Sequence, residues 1–216
     1  ERAAELKELN DERKELTEQG LAQAVDLIEH SDLMEDRVLV VYLPDCHESL
    51  AGIIAGRIRE RYYRPVFVLT RAEDGVKGSG RSIETYSMFE EMSKCKELYT
   101  KYGGHPMAAG FSLPEENIEA FRRRLNEVCT LTEEELQAKV VIDVPMPIGY
   151  ITFPLIEQLK LLEPFGKGND KPVFADRNLV IERLKIYGPT GRVVQLTLHS
   201  SSGAKVQAVY FGNPDN

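Results

Sequence analysis

The sequence has no tryptophan and three cysteines, Cys46, Cys95 and Cys129, in 216 residues. Cysteines that are few, odd in number and never arranged as C-x-x-C support neither a disulfide framework nor a zinc ribbon, and they fit a reducing, cytoplasmic setting. No apolar run approaches the roughly 20 residues needed to cross a bilayer, so no membrane partner is expected. No signal-peptide pattern opens the chain, whose start, "ERAAELKELNDERKELTEQG", is charged and helical. No G-x-S-x-G, H-E-x-x-H or P-loop signature is present, so no catalytic motif stands by itself. The chain lacks an initiator methionine and stops just after a strand-like run, and it reads as a piece of something longer.

What is present is ordinary for a soluble globular protein, with 42% hydrophobic and 29% charged residues. The net charge of −8 is unevenly placed. Residues 1–36 hold 12 Asp/Glu against 4 Lys/Arg, whereas residues 140–216 hold 8 Lys/Arg against 7 Asp/Glu. The acidity therefore sits on the leading segment, and global charge neither supports nor excludes a nucleic-acid partner.

Apolar residues Leu6, Leu9, Leu16, Ala24, Leu27 and Ile28 recur at helical spacing, predicting a long amphipathic helix that either docks on its own domain or connects two domains. "RVLVVYLP" and "RPVFVLT" read as buried strands, and between them "SLAGIIAGRIRERYY" reads as a helix. That is a βαβ unit with parallel strands. Gly52 and Gly56, four apart on this helix, are expected to let it approach a neighbour closely. "GVKGSGRSI" is a turn or short strand, "SMFEEMSKCKELY" a short helix, and "PEENIEAFRRRLNEVC" a helix started by Pro114. Its Arg122, Arg123 and Arg124 are expected on a solvated face. After a polar boundary at 131–139 the pattern changes to short β-runs broken by one helix, "TFPLIEQLKLLEPFG", which predicts a small barrel or sandwich. The fold class expected is α/β: a mixed sheet with a βαβ unit flanked by helices, followed by a small β-barrel or sandwich. The divisions expected are a connector helix at 1–36, an α/β domain at 37–135 and a β domain at 136–216.

Three stretches could carry chemistry. "KGSGRS" is either a plain glycine-rich hairpin or a phosphate cradle, in which backbone N–H groups, Ser79, Ser82 and a bidentate Arg81 would meet an anion. "GGHPMAAG" is either a tight turn with a satisfied histidine or a place where Gly103 and Gly104 admit a phosphate to which His105 donates. "DCHE", Asp45 to Glu48, is either a metal ligand set or a helix start with Asp45 as cap and Glu48 complementing the dipole.

Taken in order and spacing, "HESLAGIIAGRIRERYYRPVFVLT", "GSGRSI", "KYGGHPMAAGFSL" and "ENIEAFRRRL" resemble the DHH-associated domain of RecJ-type single-stranded-DNA exonucleases. "LLEPFGKGNDKPVF", Leu161 to Phe174, resembles the start of the oligonucleotide-binding barrel in the same family, which implies an OB-like β-barrel that stops short of its last strands, and the leading helix is similar to the connector before the DHH-associated domain. The Gly-Gly-His element alone is shared by nanoRNases and cyclic-dinucleotide phosphodiesterases, and alanyl-tRNA synthetase carries a related terminal domain to which "PFGKGN" is not suited.

The resemblance implies the substrate-binding part of an exonuclease that degrades single-stranded DNA from its 5′ end in recombination and repair. Cleavage in the family belongs to an N-terminal domain whose Asp-His-His motif and further aspartates hold Mn2+ or Mg2+. This sequence has no Asp-His-His, so the segment is expected to bind no cofactor and to be inactive alone, with the missing catalytic domain and single-stranded DNA as partners. The phosphate-facing set implied is Ser79, Gly80, Arg81, Ser82, Gly103, Gly104 and His105, with His47 facing the active site and no metal ligands. Guidance of the strand falls to Phe165, Lys167, Lys171, Arg183, Lys185, Tyr187 and Arg192. The rival expectations are a DHH-type phosphodiesterase acting on nanoRNA or small nucleotides, and a nonenzymatic module that binds protein through its acidic helix.

Overall fold

The computed structural model describes residues 2–166, 168–188 and 191–212. The chain separates into two compact units, Glu1–Ala138 and Lys139–Asn216.

The first unit begins with α1 (Arg2–Glu29), followed by a 3-10 turn at Asp32–Glu35. The side chains that α1 buries are Thr17, Gly20, Ala24 and Ile28, a stripe of mostly small residues. The leucines that marked the predicted face, Leu6, Leu9, Leu16 and Leu27, are exposed. Docking uses the C-terminal half, where a Cβ on Gly20 would lie 2.7 Å from Ile54 Cδ1. A close helix pair selects small residues, so the contact face is not the most apolar one.

Strand β1 (Leu39–Tyr42), helix α2 (Glu48–Tyr62) and strand β2 (Val66–Arg71) form the predicted βαβ unit, with β1 and β2 parallel from Leu39–Val66 to Tyr42–Leu69. β3 (Val76–Arg81) returns antiparallel to β2, and α3 (Met88–Ser93) follows. β4 (Lys101–His105) and β5 (Ala108–Leu113) are a hairpin, and α4 (Ile118–Val128) closes the unit. The mixed sheet runs β1-β2-β3-β5-β4, so the hairpin turns its second strand inward and leaves β4 at the edge.

Two apolar layers sandwich this sheet. Leu39, Val41, Val66 and Val68 alternate onto the face covered by α1 and α2. Val40, Phe67, Leu69, Phe111 and Leu113 alternate onto the other, against Met88 and Met92 of α3 and Phe121 and Leu125 of α4. Asn126 ties α4 to the sheet: its Oδ1 accepts from Val38 N–H at 3.0 Å and its Nδ2 donates to Val38 C=O at 3.0 Å. Arg122 is no solvated residue; its Nε donates to Asp36 Oδ2 at 2.5 Å and its Nη2 lies 3.1 Å from Asp32. Arg123 and Arg124 are exposed, as expected.

In the second unit, β6 (Val144–Pro145) and helix α5 (Phe153–Leu159) come first, and β7 (Phe174–Ala175) pairs parallel with β6. β8 (Val180–Tyr187), β9 (Val193–His199) and β10 (Lys205–Phe211) make a three-stranded antiparallel meander. The predicted strand over residues 172–188 is two strands, broken where Asn178 takes φ 59°. The OB-like sheet is present, but among the described residues the strands do not close into a barrel.

Candidate nucleic-acid interface

Both glycine-rich motifs are strands. "KGSGRS" supplies β3, and "KYGGHPMAAG" supplies β4, a turn at Pro106–Met107 and the start of β5. A strand points alternate side chains to opposite faces, which divides the expected phosphate set in two.

On the α2 side stand Lys77, Ser79 and Arg81 of β3. The register sets them beside Ser112, Gly110 and Ala108 of β5, and those beside Lys101, Gly103 and His105 of β4. Helix α2 packs over β2 and β3, and β5 and β4 extend past it. The surface there is nearly bare: a Cβ on Gly103 or on Gly110 would meet nothing within 4 Å.

The remaining members face the other way. Gly80 is buried, and a Cβ there would lie 2.6 Å from Met88 Sδ and 2.9 Å from Phe67. Gly104 has its Cβ position blocked by Ala108 O and Ala109 of β5. Ser82 is 1% exposed and its hydroxyl donates to Tyr86 C=O at 2.5 Å, which removes it from any solvent-borne ligand. These three shape the strands. The expected cradle of free backbone N–H groups is also absent from β3, which is laddered on both sides by β2 and β5.

Arg81 is the centre of the exposed face. Its Nη1 donates to Gly80 C=O at 2.7 Å and to Ser79 Oγ at 3.3 Å. The guanidinium rests against α2 at Gly52, where a Cβ would come 2.7 Å from Nη2. Gly52 thus serves the predicted close approach, but toward Arg81; Gly56 has open space around it. The side chain is half-buried and no carboxylate pairs with it among the described residues. A cation held in place by neutral acceptors and left without a counter-ion is a ready anion site.

His105 and His47 are built alike. Met107 N–H donates to His105 Nδ1 at 3.3 Å, and Ser49 N–H donates to His47 Nδ1 at 3.2 Å. With Nδ1 accepting, the neutral ring carries its proton on Nε2, directed away from the backbone. Both rings are exposed. His47, not Asp45, is the N-cap of α2. Glu48 is in the first turn of α2, as expected, and it also pairs with Lys77 at 2.6 Å, which holds its carboxyl below the usual range and raises the Lys77 ammonium. Among the described residues no three His, Cys, Asp or Glu gather to hold a metal, at "DCHE" or elsewhere.

In the second unit, Arg183, Lys185 and Tyr187 fall on one face of β8, beside Thr197, Gln195 and Val193 of β9. The opposite face is Leu184, Ile186, Val194, Leu196, Val206 and Ala208. Phe165 is half-buried with Lys171 Nζ 5.8 Å from its ring centroid. Arg192 lies just before β9, where its carbonyl accepts from Gly212 N–H at 2.9 Å. Lys167 is outside the described residues. Sequence reasoning missed Lys101 and Ser112 as members of the first unit's bare face. Reading 77, 79, 81 and 101, 103, 105 as alternating strand positions would have found that face.

Comparison with known proteins matches these two units to two family models, a DHHA1 domain over residues 35–131 and a RecJ OB domain over residues 142–216. The chain belongs to the RecJ family. Among relatives of this RecJ-family chain, the single-stranded-DNA-specific exonuclease RecJ of Bacillus subtilis is 35% identical over 204 residues, covering 93% of the chain and 26% of the relative. The Escherichia coli protein of the same name is 38% identical over 183 residues, 80% of the chain and 32% of the relative. The crystal structure of RecJ in complex with Mg2+ from Thermus thermophilus superposes with a TM-score of 0.73 at 28% identity, covering 98% of the chain and 32% of that protein. The Mn2+ complex from the same organism gives 0.73 at 30% identity, covering 95% of the chain and 30% of that protein. The chain therefore spans about a third or less of these relatives. Those structures are complexes with Mg2+ or Mn2+, and among the described residues of this chain no three His, Cys, Asp or Glu gather to hold a metal.

Proposed function

We propose that this chain is the substrate-clamping part of a single-stranded-DNA-specific exonuclease, and that the bare face of β3, β5 and β4 holds the strand's phosphates. The carrying observation is Arg81: a half-buried guanidinium fixed by Gly80 C=O and Ser79, resting on Gly52 and without a carboxylate partner among the described residues. Ser79 and the outward Nε2–H of His105 add donors, and Gly103 leaves room for the sugar-phosphate chain. His47 faces the catalytic domain, which lies outside this chain and carries the Mn2+ or Mg2+ site. Segments 1–36, 37–135 and 136–216 act as connector, phosphate clamp and strand guide. On the guide, Arg183, Lys185 and Tyr187 offer charge and a stacking ring along one face, and Phe165 with Lys171 and Arg192 add further contacts. Whole-enzyme digestion runs from the 5′ end in repair and recombination in the cytoplasm, and the isolated chain does not hydrolyse DNA.

The test is fluorescence anisotropy with a short 5′-phosphorylated oligothymidylate over a salt series. Arg81→Ala is expected to weaken binding about tenfold or more, the loss of a charge-assisted hydrogen bond of roughly 1.5–3 kcal/mol. His105→Ala is expected to weaken it less. Binding that neither change affects would move recognition to the second unit. Release of nucleotides by the purified chain with Mn2+ would overturn the assignment of hydrolysis to the missing domain.

A further inference from the structure

The Arg81 site does not account for the whole bare face. Further along β3 on the same face lies Lys77, beside Ser112 of β5 and Lys101 of β4. These residues, with Thr70 of β2 and the first turn of α2, line a pocket of about 460 Å³. A wider depression of about 1090 Å³ shares Glu48, Lys77, Lys101 and Ser112 with it.

The pocket has the chemistry of an anion site. Lys101 makes no ion pair among the described residues. The N-terminus of the 15-residue helix α2 is at its rim, through Glu48 and Ser49. Thr70 is fully buried, and its hydroxyl has no hydrogen-bond partner among the described residues. A buried hydroxyl left unmet costs about 1–3 kcal/mol, and the pocket is where a partner would come from. An anion is already there: the Glu48 carboxylate, 2.6 Å from Lys77 Nζ.

We propose that this pocket is a second phosphate subsite, built by Thr70, Lys77, Lys101 and Ser112, which Glu48 fills with its own carboxylate until a strand phosphate displaces it. The proposal rests on the reading of the β3–β5–β4 face as a phosphate track. Residues two apart on a strand are about 6.7 Å apart, so Ser79 stands between the two subsites. Glu48 is then an internal competitor: it keeps Lys77 neutralised in the free protein and lowers affinity for weakly held anions.

The experiment uses the same labelled oligothymidylate in a salt series. Glu48→Gln is expected to tighten binding several-fold, whereas Glu12→Gln on α1, an equal change in net charge, leaves it unchanged. Lys101→Ala is expected to weaken binding and to reduce the salt slope by about 0.7, the increment for one phosphate on a single strand. If Glu48→Gln and Lys101→Ala do nothing while Arg81→Ala weakens binding, the second subsite is wrong and the phosphate track stands. If Arg81→Ala is also silent, or the wild type does not bind at low salt, both are wrong. Amide shifts of Thr70 and Ser112 identify the occupant. Movement with inorganic phosphate alone supports a subsite for any phosphate, and movement with the oligonucleotide alone supports one that needs a tethered strand. Movement with neither overturns it.

Discussion

At the scale of single residues, the proposed clamp depends on an absence of side chain where the Arg81 guanidinium lies. Gly52 is in mid-helix, where alanine would ordinarily be preferred by about 0.5–1 kcal/mol. Its cost is understandable through Arg81 and Ser79, whose Nη2 and Oγ would lie 2.7 and 3.0 Å from a Cβ there. Gly52→Ala is therefore expected to hold or raise the melting temperature while weakening oligonucleotide binding. Loss of both together would show that the glycine serves packing. Ser79 and Ser82 make a second contrast, three residues apart on opposite faces. Ser82→Ala removes a buried donor from Tyr86 C=O and is expected to cost about 1–3 kcal/mol of stability in chemical denaturation, with affinity unchanged in the surviving fold. Ser79→Ala is expected to do the reverse. Cys95 sets an alkaline limit. Burial pushes its thiol from 9.0 up to about 11, so the folded state keeps a proton that the unfolded chain releases. Its contribution is intact below pH 9.0 and is lost as the pH rises toward about 11. Cys95→Ala should flatten that part of the stability–pH curve, and an unaltered curve would sink the assignment.

At the scale of elements, one polar latch adds to the apolar layers that hold the sheet. Asn126 satisfies both the N–H and the C=O of Val38 at the start of β1 and adds a bond to Arg122 C=O. Asn126→Ala leaves those part-buried groups unmet and is expected to cost about 2–3 kcal/mol, read as a several-degree fall in melting temperature. A fall no larger than that of an exposed α4 change such as Arg123→Ala would mean that water replaces the amide. The βαβ unit and α4 were legible because continuous apolar runs and a strong 3–4 repeat leave little choice. "KYGGHPMAAG" was not read as strands and "GVKGSGRSI" only as a turn or short strand, because glycine punctuates loops far more often than it lines a ladder. Here Gly78 lies under the Phe111 ring and Gly80 under Met88, packing that is settled by strands distant in sequence. The face of α1 was misjudged for a related reason: Gly20 and Ala24 dock because they are small, and hydropathy ranks Leu16 above them. Arg81 and His105 were legible as chemistry, but their common face required knowing that β5 lies between β3 and β4.

At the scale of the whole molecule, the two units are unequally built. Nearly all the buried apolar residues belong to the first, where Phe67, Phe111, Phe121 and Tyr99 also pack ring against ring. In the second, Ile148 and Val194 are the buried apolar side chains among the described residues, whereas Ile181, Leu184 and Ile186 are each half exposed. Apolar burial contributes about 25 cal/mol per Å2, so the second unit has much less to set against its chain entropy. Native-state hydrogen exchange should therefore separate them. Amides of β1, β2 and β3 are expected to exchange last and together, at the global free energy of the first unit. Those of β8 and β10 are expected to exchange earlier, through openings that leave the first unit folded. Such a meander could still guide a strand, since stacking and backbone charge need a surface more than a core, and oligonucleotide binding should then slow exchange in β8 most. Equal protection across both units would show that they unfold as one.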